Sequence, residues 1–154
     1  MQLIAPTGQY DSSKLINLGS NRWTFKPQIG FSRAYEKWSY EFAGSVWLFT
    51  DNDDFLDGNN LDQDPLWVLK THAIWSRRPG QWVAFGVGFG DGGRTSVNGI
   101  PRQTIQQNWR FAVTFAWALS PKQGIHFRLG TGVKKKAGSD FDVVGAGYQY
   151  AWGG

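Results

Sequence analysis

Apolar and polar residues alternate along most of this 154-residue chain. In residues 104–119 the bulky side chains of Trp109, Phe111 and Val113 occupy one phase, while Arg110 and small residues occupy the other. Successive side chains of a β-strand point to opposite faces, whereas an amphipathic helix repeats every 3.6 residues. The pattern therefore predicts an all-β chain with little helix.

The same alternation recurs in segment after segment and predicts about eight strands. One phase is bulky and apolar, and the other is small or polar. Four residues break this division: Trp47 and Phe49 in one segment, and Val68 and Ile74 in the next, stand in the phase that is otherwise small. The predicted strands are residues 2–6, 22–32, 37–50, 65–76, 81–90, 104–119, 124–134 and 140–152.

The connections between the predicted strands alternate between long and short. Long polar loops rich in Gly, Asn and Asp are predicted at residues 7–21, 51–64 and 91–103, with a shorter loop of the same kind at residues 135–139. Tight turns are predicted at residues 34–36, 77–80 and 120–123. Outer-membrane barrels have long outer loops and short periplasmic turns, so this plan favours such a barrel.

Tryptophan spacing supports a membrane barrel over a soluble one. Trp67 and Trp75, and likewise Trp109 and Trp117, lie eight residues apart on the apolar phase. In a tilted strand eight residues rise about 20 Å, close to the roughly 25 Å apolar band between the aromatic girdles of membrane barrels. We expect an antiparallel up-and-down transmembrane β-barrel. Its predicted girdle consists of Trp23, Trp38, Trp67, Trp75, Trp109, Trp117 and Trp152.

A soluble all-β module is the alternative. Its apolar phase would face an inner core, and its Trp residues would bind carbohydrates or hydrophobic ligands by stacking. The small phase disfavours this alternative, because Gly, Ala and Ser dominate where a soluble exterior is usually rich in Lys, Glu, Thr and Gln. Small residues suit the crowded interior of a barrel.

Composition excludes several classes of protein. The chain has no Cys, which rules out disulfides and thiolate chemistry, and its longest nearly apolar run, residues 111–119, is about half of what a membrane helix needs. The N-terminal residues lack the basic and apolar regions of a signal peptide. The net charge is +4, but the cations are scattered except at residues 134–136, so no nucleic acid partner is expected.

Three patterns that could carry chemistry are weak. Residues 88–93 match GxGxxG, but a polar loop follows where a phosphate-binding helix is required. Residues 51–64 carry six Asp without the ligand order of a calcium loop. His72 and His126 have no Gly-x-Ser-x-Gly partner. We therefore expect no enzyme activity, no catalytic residue, no metal site and no cofactor.

The cations on the small phase are the strongest candidates for a functional site. Charges within membrane-spanning segments are costly unless they face water or a partner, so they mark candidate solute contacts. The alternative, which we weigh equally, is that they pair with Glu41 and with acids of further strands of the barrel and simply fill the interior. The predicted solute-binding residues are Lys26, Lys70, His72, Arg110, His126 and Arg128, with Arg22 and Lys134 on the same phase.

Four segments in sequence order resemble the MetA-pathway of phenol degradation family, whose members are outer-membrane β-barrel proteins. They are PTGQYD at residues 6–11, NLGSNRW at 17–23, GGRTSVNG at 92–99, and residues 138–152, which begin GSDFD and end YQYAW. The resemblance covers essentially the whole chain. Because relatives carry further strands before the first segment, it implies that residues 1–154 are a single domain forming the C-terminal part of a larger barrel.

The resemblance and the alternation lead to one functional expectation. The chain is expected to form an outer-membrane channel or transporter for small solutes, aromatic or anionic, in a Gram-negative bacterium. Its expected partners are outer-membrane lipid and lipopolysaccharide, the barrel-assembly machinery and a small-molecule solute. The suggestion of aromatic compounds comes from the resemblance, and the suggestion of anions comes from the cations.

Overall fold

The chain forms strands and turns in residues 1–137 and 140–152, which the computed structural model describes. No helix in these ranges is long and apolar enough to cross a membrane. The strands, numbered in chain order, are β1 (Gln2–Ile4), β2 (Thr24–Lys26), β3 (Gln28–Tyr35), β4 (Trp38–Phe49), β5 (Asn52–Phe55), β6 (Asn59–Gln63), β7 (Leu66–Arg78), β8 (Gln81–Gly92), β9 (Thr95–Val97), β10 (Ile100–Pro101), β11 (Gln106–Ser120), β12 (Gln123–Lys134) and β13 (Phe141–Tyr150).

The main sheet is antiparallel, with β1, β2, β4, β7, β8, β11, β12 and β13 side by side in that order and β3 paired with β4. β2 and β3 are one strand interrupted at Pro27, because Phe25 opposite Leu48 and Gln28 opposite Ser45 belong to the same register. Counted in this way, the sheet has the eight strands that the alternation predicts. Pro27 lacks an N–H donor and weakens the pairing, but it causes no bulge.

Each short connection is a two-residue turn; two of them lie within the predicted segments 77–80 and 120–123, and the first ends one residue beyond the end of the predicted segment 34–36. The turns are residues 36–37, 79–80 and 121–122. Glu36 and Gly80 have positive φ angles of 50° and 75°, as tight hairpin turns require. These turns bring the ends of β3 and β4, β7 and β8, and β11 and β12 together at one edge of the sheet.

Two of the segments predicted as polar loops instead form a second sheet at the opposite edge. Residues 51–64 contain the hairpin β5–β6, residues 91–103 contain the hairpin β9–β10, and β6 pairs with β9. The expectation of irregular loops is wrong here because Asn98 and Gly99, with φ of 52° and 73°, form a two-residue hairpin turn. An Asn-Gly pair is a strong hairpin signal.

The connection between β1 and β2 forms no strand, and Asn52 of β5 joins it to this second sheet by hydrogen bonds. The Asn52 side chain is 2% exposed, donates to the Tyr10 hydroxyl at 2.9 Å and accepts from the Asn21 amide at 2.9 Å. Within the same connection, hydrogen bonds from Ser13 and the ammonium group of Lys14 lower the pKa of Asp11 to about 2. The outer loops are therefore joined to one another. Gly138 and Ser139, in the predicted loop at 135–139, lie outside the described residues.

The main sheet has an apolar face and a polar face, assigned from cross-strand pairs, because residues directly opposite each other share a face. The apolar face includes Ile29, Phe31, Phe42, Leu69, Phe85, Phe89, Phe111, Val113, Phe115, Phe127 and Leu129. The polar face includes Lys26, Gly30, Glu41, Ala43, Lys70, His72, Gly86, Gly88, Gly90, Arg110, Ala112, His126, Arg128, Gly132, Phe141, Gly145 and Gly147.

The apolar face is uncovered. No hydrophobic residue in the described ranges is buried, and Ile29, Phe31 and Leu69 are 80%, 62% and 60% exposed. Within those ranges β1 pairs only with β2, β3 only with β4 and β13 only with β12, so the sheet is open at both of its edges. The described residues thus form an open sheet with two unlike faces and no buried hydrophobic core.

Candidate solute path on the polar face

The geometric centre of the candidate site is Gly88, which has a cation on each side. Lys70 on β7 and Arg110 on β11 both lie opposite Gly88 on β8. Neighbouring strands are about 4.8 Å apart, so the two backbones are about 10 Å apart with no side chain between them. The outer neighbours in this row are Ala43 and Gly132. Two cations therefore flank a gap floored by glycine.

No carboxylate neutralises these cations within the described part of the chain. The acid–base contacts there are Lys14 with Asp11, in the outer loop, and His72 with Glu41, at 3.8 Å between Nδ1 and Oε2, which is an ion pair only when the imidazole is protonated. Among the described residues Glu41 lies within salt-bridge distance of His72 and of none of the lysines or arginines, while the predicted pairing of these cations with acids of further strands stays a prediction. Glu41 faces a histidine across the β4–β7 pair.

Aromatic rings accompany some of the cations. The Arg110 guanidinium lies 5.7 Å from the Phe141 ring centre, and the Lys26 ammonium lies 4.5 Å from that of Trp47. A cation over an aromatic face is attracted by the ring quadrupole, yet the ring adds no negative charge. The rings thus contact these cations without placing an opposite charge beside them.

Arg22 is held in the same way, just before β2 at the outer-loop edge. Its guanidinium lies 4.6 Å from the Phe49 ring centre, and its Nη2 donates to the side-chain oxygen of Gln63. Burial lowers the pKa of Arg22, and the nearby Asp51 carboxylate acts in the opposite direction. Its Nη1 atom is buried without a partner among the described residues.

The remaining predicted solute-binding residues lie apart from the Gly88 gap. His72 is opposite Glu41 and Gly86, one row towards the short turns. Arg128 is opposite Thr114 and Gly145, a further row on, and His126 lies in the row beyond that. The structure therefore brings Lys70 and Arg110 together across Gly88, while Arg110 and Arg128 are two rows apart.

The predicted girdle residues lie at the two ends of the strands. Trp38, Trp75, Trp117 and Trp152 lie near the short-turn edge, and Trp23, Trp67 and Trp109 lie near the outer-loop edge. Several stack on the next aromatic residue of the same face, as Trp109 does on Phe111 at 6.2 Å between ring centres. The positions are those that two interfacial belts would occupy, although girdle function stays a prediction.

The GxGxxG segment and the six Asp residues lie in strands, in hairpins and in the residues that flank them. The GxGxxG segment lies in β8 and the turn after it, and β9 follows instead of a helix. In the described ranges no group of three or more His, Cys, Asp or Glu side chains is arranged to hold a metal ion. The six Asp residues of 51–64 belong to the hairpin β5–β6 and its flanks.

Three aromatic residues that contact the cations are not among the residues predicted from the sequence. Trp47 and Phe49 disturb the alternation of β4, and each lies beside a cation from the preceding connection or strand. The position of the two-residue turn at 36–37 could have revealed these contacts. The turn fixes the register between β2/β3 and β4, and this register brings Trp47 opposite Lys26. Phe141 had no comparable signal, since its contact with Arg110 depends on two strand pairings.

Comparisons with known proteins agree with this geometry. A family model described as "Putative MetA-pathway of phenol degradation" matches residues 1–150. A crystal structure of an outer membrane channel from Pseudomonas putida F1 is similar, with 26% sequence identity and a TM-score of 0.78. The match covers 96% of this chain and 56% of that chain, so this chain spans little more than half its length. No curated protein sequence matches.

Proposed function

The chain belongs to the MetA-pathway of phenol degradation family, and from this premise we propose that it forms part of the wall of an outer-membrane channel for small solutes. Its open sheet is a portion of an antiparallel transmembrane β-barrel, and the similar crystal structure is an outer membrane channel. Because the match covers 56% of that channel, the activity of the whole protein is part of the proposal.

The two faces of the sheet suit two different solvents. Large apolar side chains such as Phe111 and Leu129, 44% and 57% exposed, would face the hydrocarbon of the bilayer, where burial from water is favourable. The polar face would line the lumen. Lipid and lipopolysaccharide would then contact the apolar face and the outer loops, and the barrel-assembly machinery would insert the strands.

The solute class rests on one observation, the cation pair Lys70 and Arg110 across Gly88. Both cations lack a carboxylate partner in the described residues, so their field extends into the space in front of the glycine. A low-dielectric wall focuses such a field and raises the local concentration of anions. Arg110 can also donate two parallel hydrogen bonds to a carboxylate. We therefore propose a preference for small anionic solutes, including carboxylates.

Ion selectivity of the full-length protein in planar bilayers tests this proposal. Wild type should pass chloride in preference to potassium, and Lys70→Ala with Arg110→Ala should move the reversal potential towards that of a non-selective pore. Lys122→Ala is the matched control, because Lys122 lies in a short turn and not on the strand wall. The control should leave the selectivity unchanged.

A cation-selective wild type, or equal reversal potentials for wild type and the double variant, would sink the anion proposal. Arg128→Ala is the informative addition, since Arg128 is also a predicted solute-binding residue and lies two rows from Arg110. If Arg110→Ala with Arg128→Ala changes selectivity more than Lys70→Ala with Arg110→Ala, the critical pair is Arg110 with Arg128 and not the pair across Gly88.

A further inference from the structure

The imidazole of His72 lies directly over Gly86 of the neighbouring strand. A methyl group placed on Gly86 would meet Cδ2 of His72 at 2.9 Å and Nε2 at 3.1 Å, closer than carbon and nitrogen atoms pack. His72 and Gly86 are opposite each other in the β7–β8 pair. The ring therefore occupies the space that a side chain at residue 86 would fill.

Two further rings of the polar face repeat this arrangement on β12 and β13. A methyl group on Gly147 would overlap the imidazole of His126, and one on Gly132 would overlap the ring of Phe141. In each case the ring and the glycine are cross-strand partners. A ring that covers a glycine on the next strand lies sideways along the wall, and it packs where the glycine has no side chain of its own.

Other glycines of the same face do not carry a ring. A methyl group on Gly90, also in β8, would come no closer than 3.7 Å to any of its neighbours, and one on Gly145, in β13, would first meet Arg128 Cβ at 3.9 Å. These are ordinary van der Waals distances. Cover by a ring is thus found at Gly86, Gly132 and Gly147, whereas the close contact of an added methyl group at Gly130, 3.2 Å, is with the Phe111 backbone carbonyl.

We infer that Gly86 and Gly147 are width-setting residues of the solute path, because they let the two histidines lie flat against the wall. Strand side chains normally stand roughly perpendicular to the sheet, and an upright imidazole would project into the lumen. Without a Cβ on the adjacent strand, the ring can fold sideways and present its face. The path narrows if either glycine gains a methyl group.

Glu41 supports the flat orientation of His72 from the other side. Its carboxylate oxygen is 3.8 Å from Nδ1 of His72. Glu41 lies on β4, on one side of β7, and Gly86 lies on β8, on the other side. The imidazole therefore lies between Glu41 on β4 and Gly86 on β8. His126 has no such acid within salt-bridge distance in the described residues, so at His126 the glycine is the principal constraint.

The test compares Gly86→Ala and Gly147→Ala with Gly90→Ala and Gly145→Ala in the full-length protein. Single-channel conductance should fall about twofold in the first two variants, because the free cross-section sets the flow, and stay at the wild-type level in the controls. Removing the displaced ring should reverse the loss, so Gly86→Ala with His72→Ala should conduct at least as well as wild type.

The inference about the width of the path rests on the proposed channel function. A second measurement, which does not depend on conductance, therefore tests the position of the His72 ring separately. Diethyl pyrocarbonate modification of the protein in detergent, followed site by site with mass spectrometry, should be about twofold faster at His72 in Gly86→Ala, since a ring lying on the wall has one face covered. His126 in the same sample is the internal reference. If the wild-type protein does not conduct, the proposed channel function is wrong, but the modification rate still tests whether Gly86 lets the His72 ring lie against the wall.

The inference is overturned if Gly86→Ala matches Gly90→Ala in both readouts, or if adding His72→Ala does not restore conductance. If Gly86→Ala fails to give a heat-modifiable folded barrel, the clash predicts that His72→Ala restores folding, and an unfolded double variant counts against the inference. The pair on β12 and β13 provides an independent test, in which His126→Ala should restore conductance or folding that Gly147→Ala has lost.

Discussion

Single residues on the two faces should tolerate opposite substitutions. Val113 is 40% exposed on the apolar face, opposite Phe85 and Leu129 near the middle of β11, whereas the neighbouring Ala112 is on the polar face. An arginine on the lipid face near the bilayer midplane costs about 2 to 4 kcal/mol. We expect Val113→Arg to lower the unfolding free energy by that amount in urea titrations of the barrel in lipid, followed by tryptophan fluorescence.

Ala112→Ser is the control at the adjacent position and should change the unfolding free energy by less than about 0.5 kcal/mol, because a hydroxyl is tolerated beside water. Tolerance of arginine at residue 113, together with loss of stability from serine at residue 112, would mean that the two faces are reversed.

At the residue scale, sequence alone assigns the faces but not the partners. Alternation places Lys70 and Arg110 on the small phase because the period of a strand is two. It does not show that Gly88 lies between them, since that depends on two registers, each set by a turn or loop. Phe141 beside Arg110 was beyond sequence inspection for the same reason.

At the scale of elements, the short turns control the register of the wall, and Gly80 tests this control. Its φ is 75°, and a methyl group there would lie 2.5 Å from the Ala118 Cβ. The Gly80 carbonyl also accepts from the Ala118 amide at 2.7 Å. Gly80→Ala should lower the unfolding free energy by about 1 to 3 kcal/mol for the strained backbone, with the clash in addition.

The matched control is Gly58→Ala in the β5–β6 hairpin, where φ is 92° but nothing lies within 4 Å of an added methyl group. Both variants carry backbone strain, so the difference between their melting temperatures in detergent measures the Ala118 contact. Equal melting temperatures for the two variants would show that the β7–β8 turn does not need close packing against β11.

Elements were predictable to the extent that they rest on local signals. All eight strands of the main sheet overlap the segments that alternation predicts, with ends up to three residues away, and the turns at 79–80 and 121–122 lie within the predicted turns, whereas the turn at 36–37 ends one residue beyond the predicted one. The outer hairpins were missed because strands as short as β9 and β10 have too few residues to show alternation. Asn98 and Gly99 carried the available signal.

At the scale of the whole molecule, the wall lacks a core and must obtain one from its surroundings. No hydrophobic residue in the described ranges is buried, and large side chains from Ile29 to Val144, 80% and 82% exposed, cover one face. A contiguous apolar surface of this extent is unusual for a soluble monomer and is stable when it contacts lipid or detergent. The alternation predicted such a face. It does not predict how the sheet closes into a barrel, because closure depends on which strands pair with the open edges of the sheet.

The full-length protein should therefore need detergent or lipid to remain folded. In dodecyl maltoside micelles we expect circular dichroism typical of β-structure and slower migration after heating, and dilution below the critical micelle concentration should cause aggregation, because water would then contact the whole apolar face. Cell fractionation gives the matching control, since alkaline carbonate washes release peripheral proteins but should leave this protein in the membrane pellet. Recovery of a stable monomer from an aqueous lysate without detergent would contradict the membrane wall, and it would favour the soluble all-β binding module, whose apolar face must then be covered by folding onto itself.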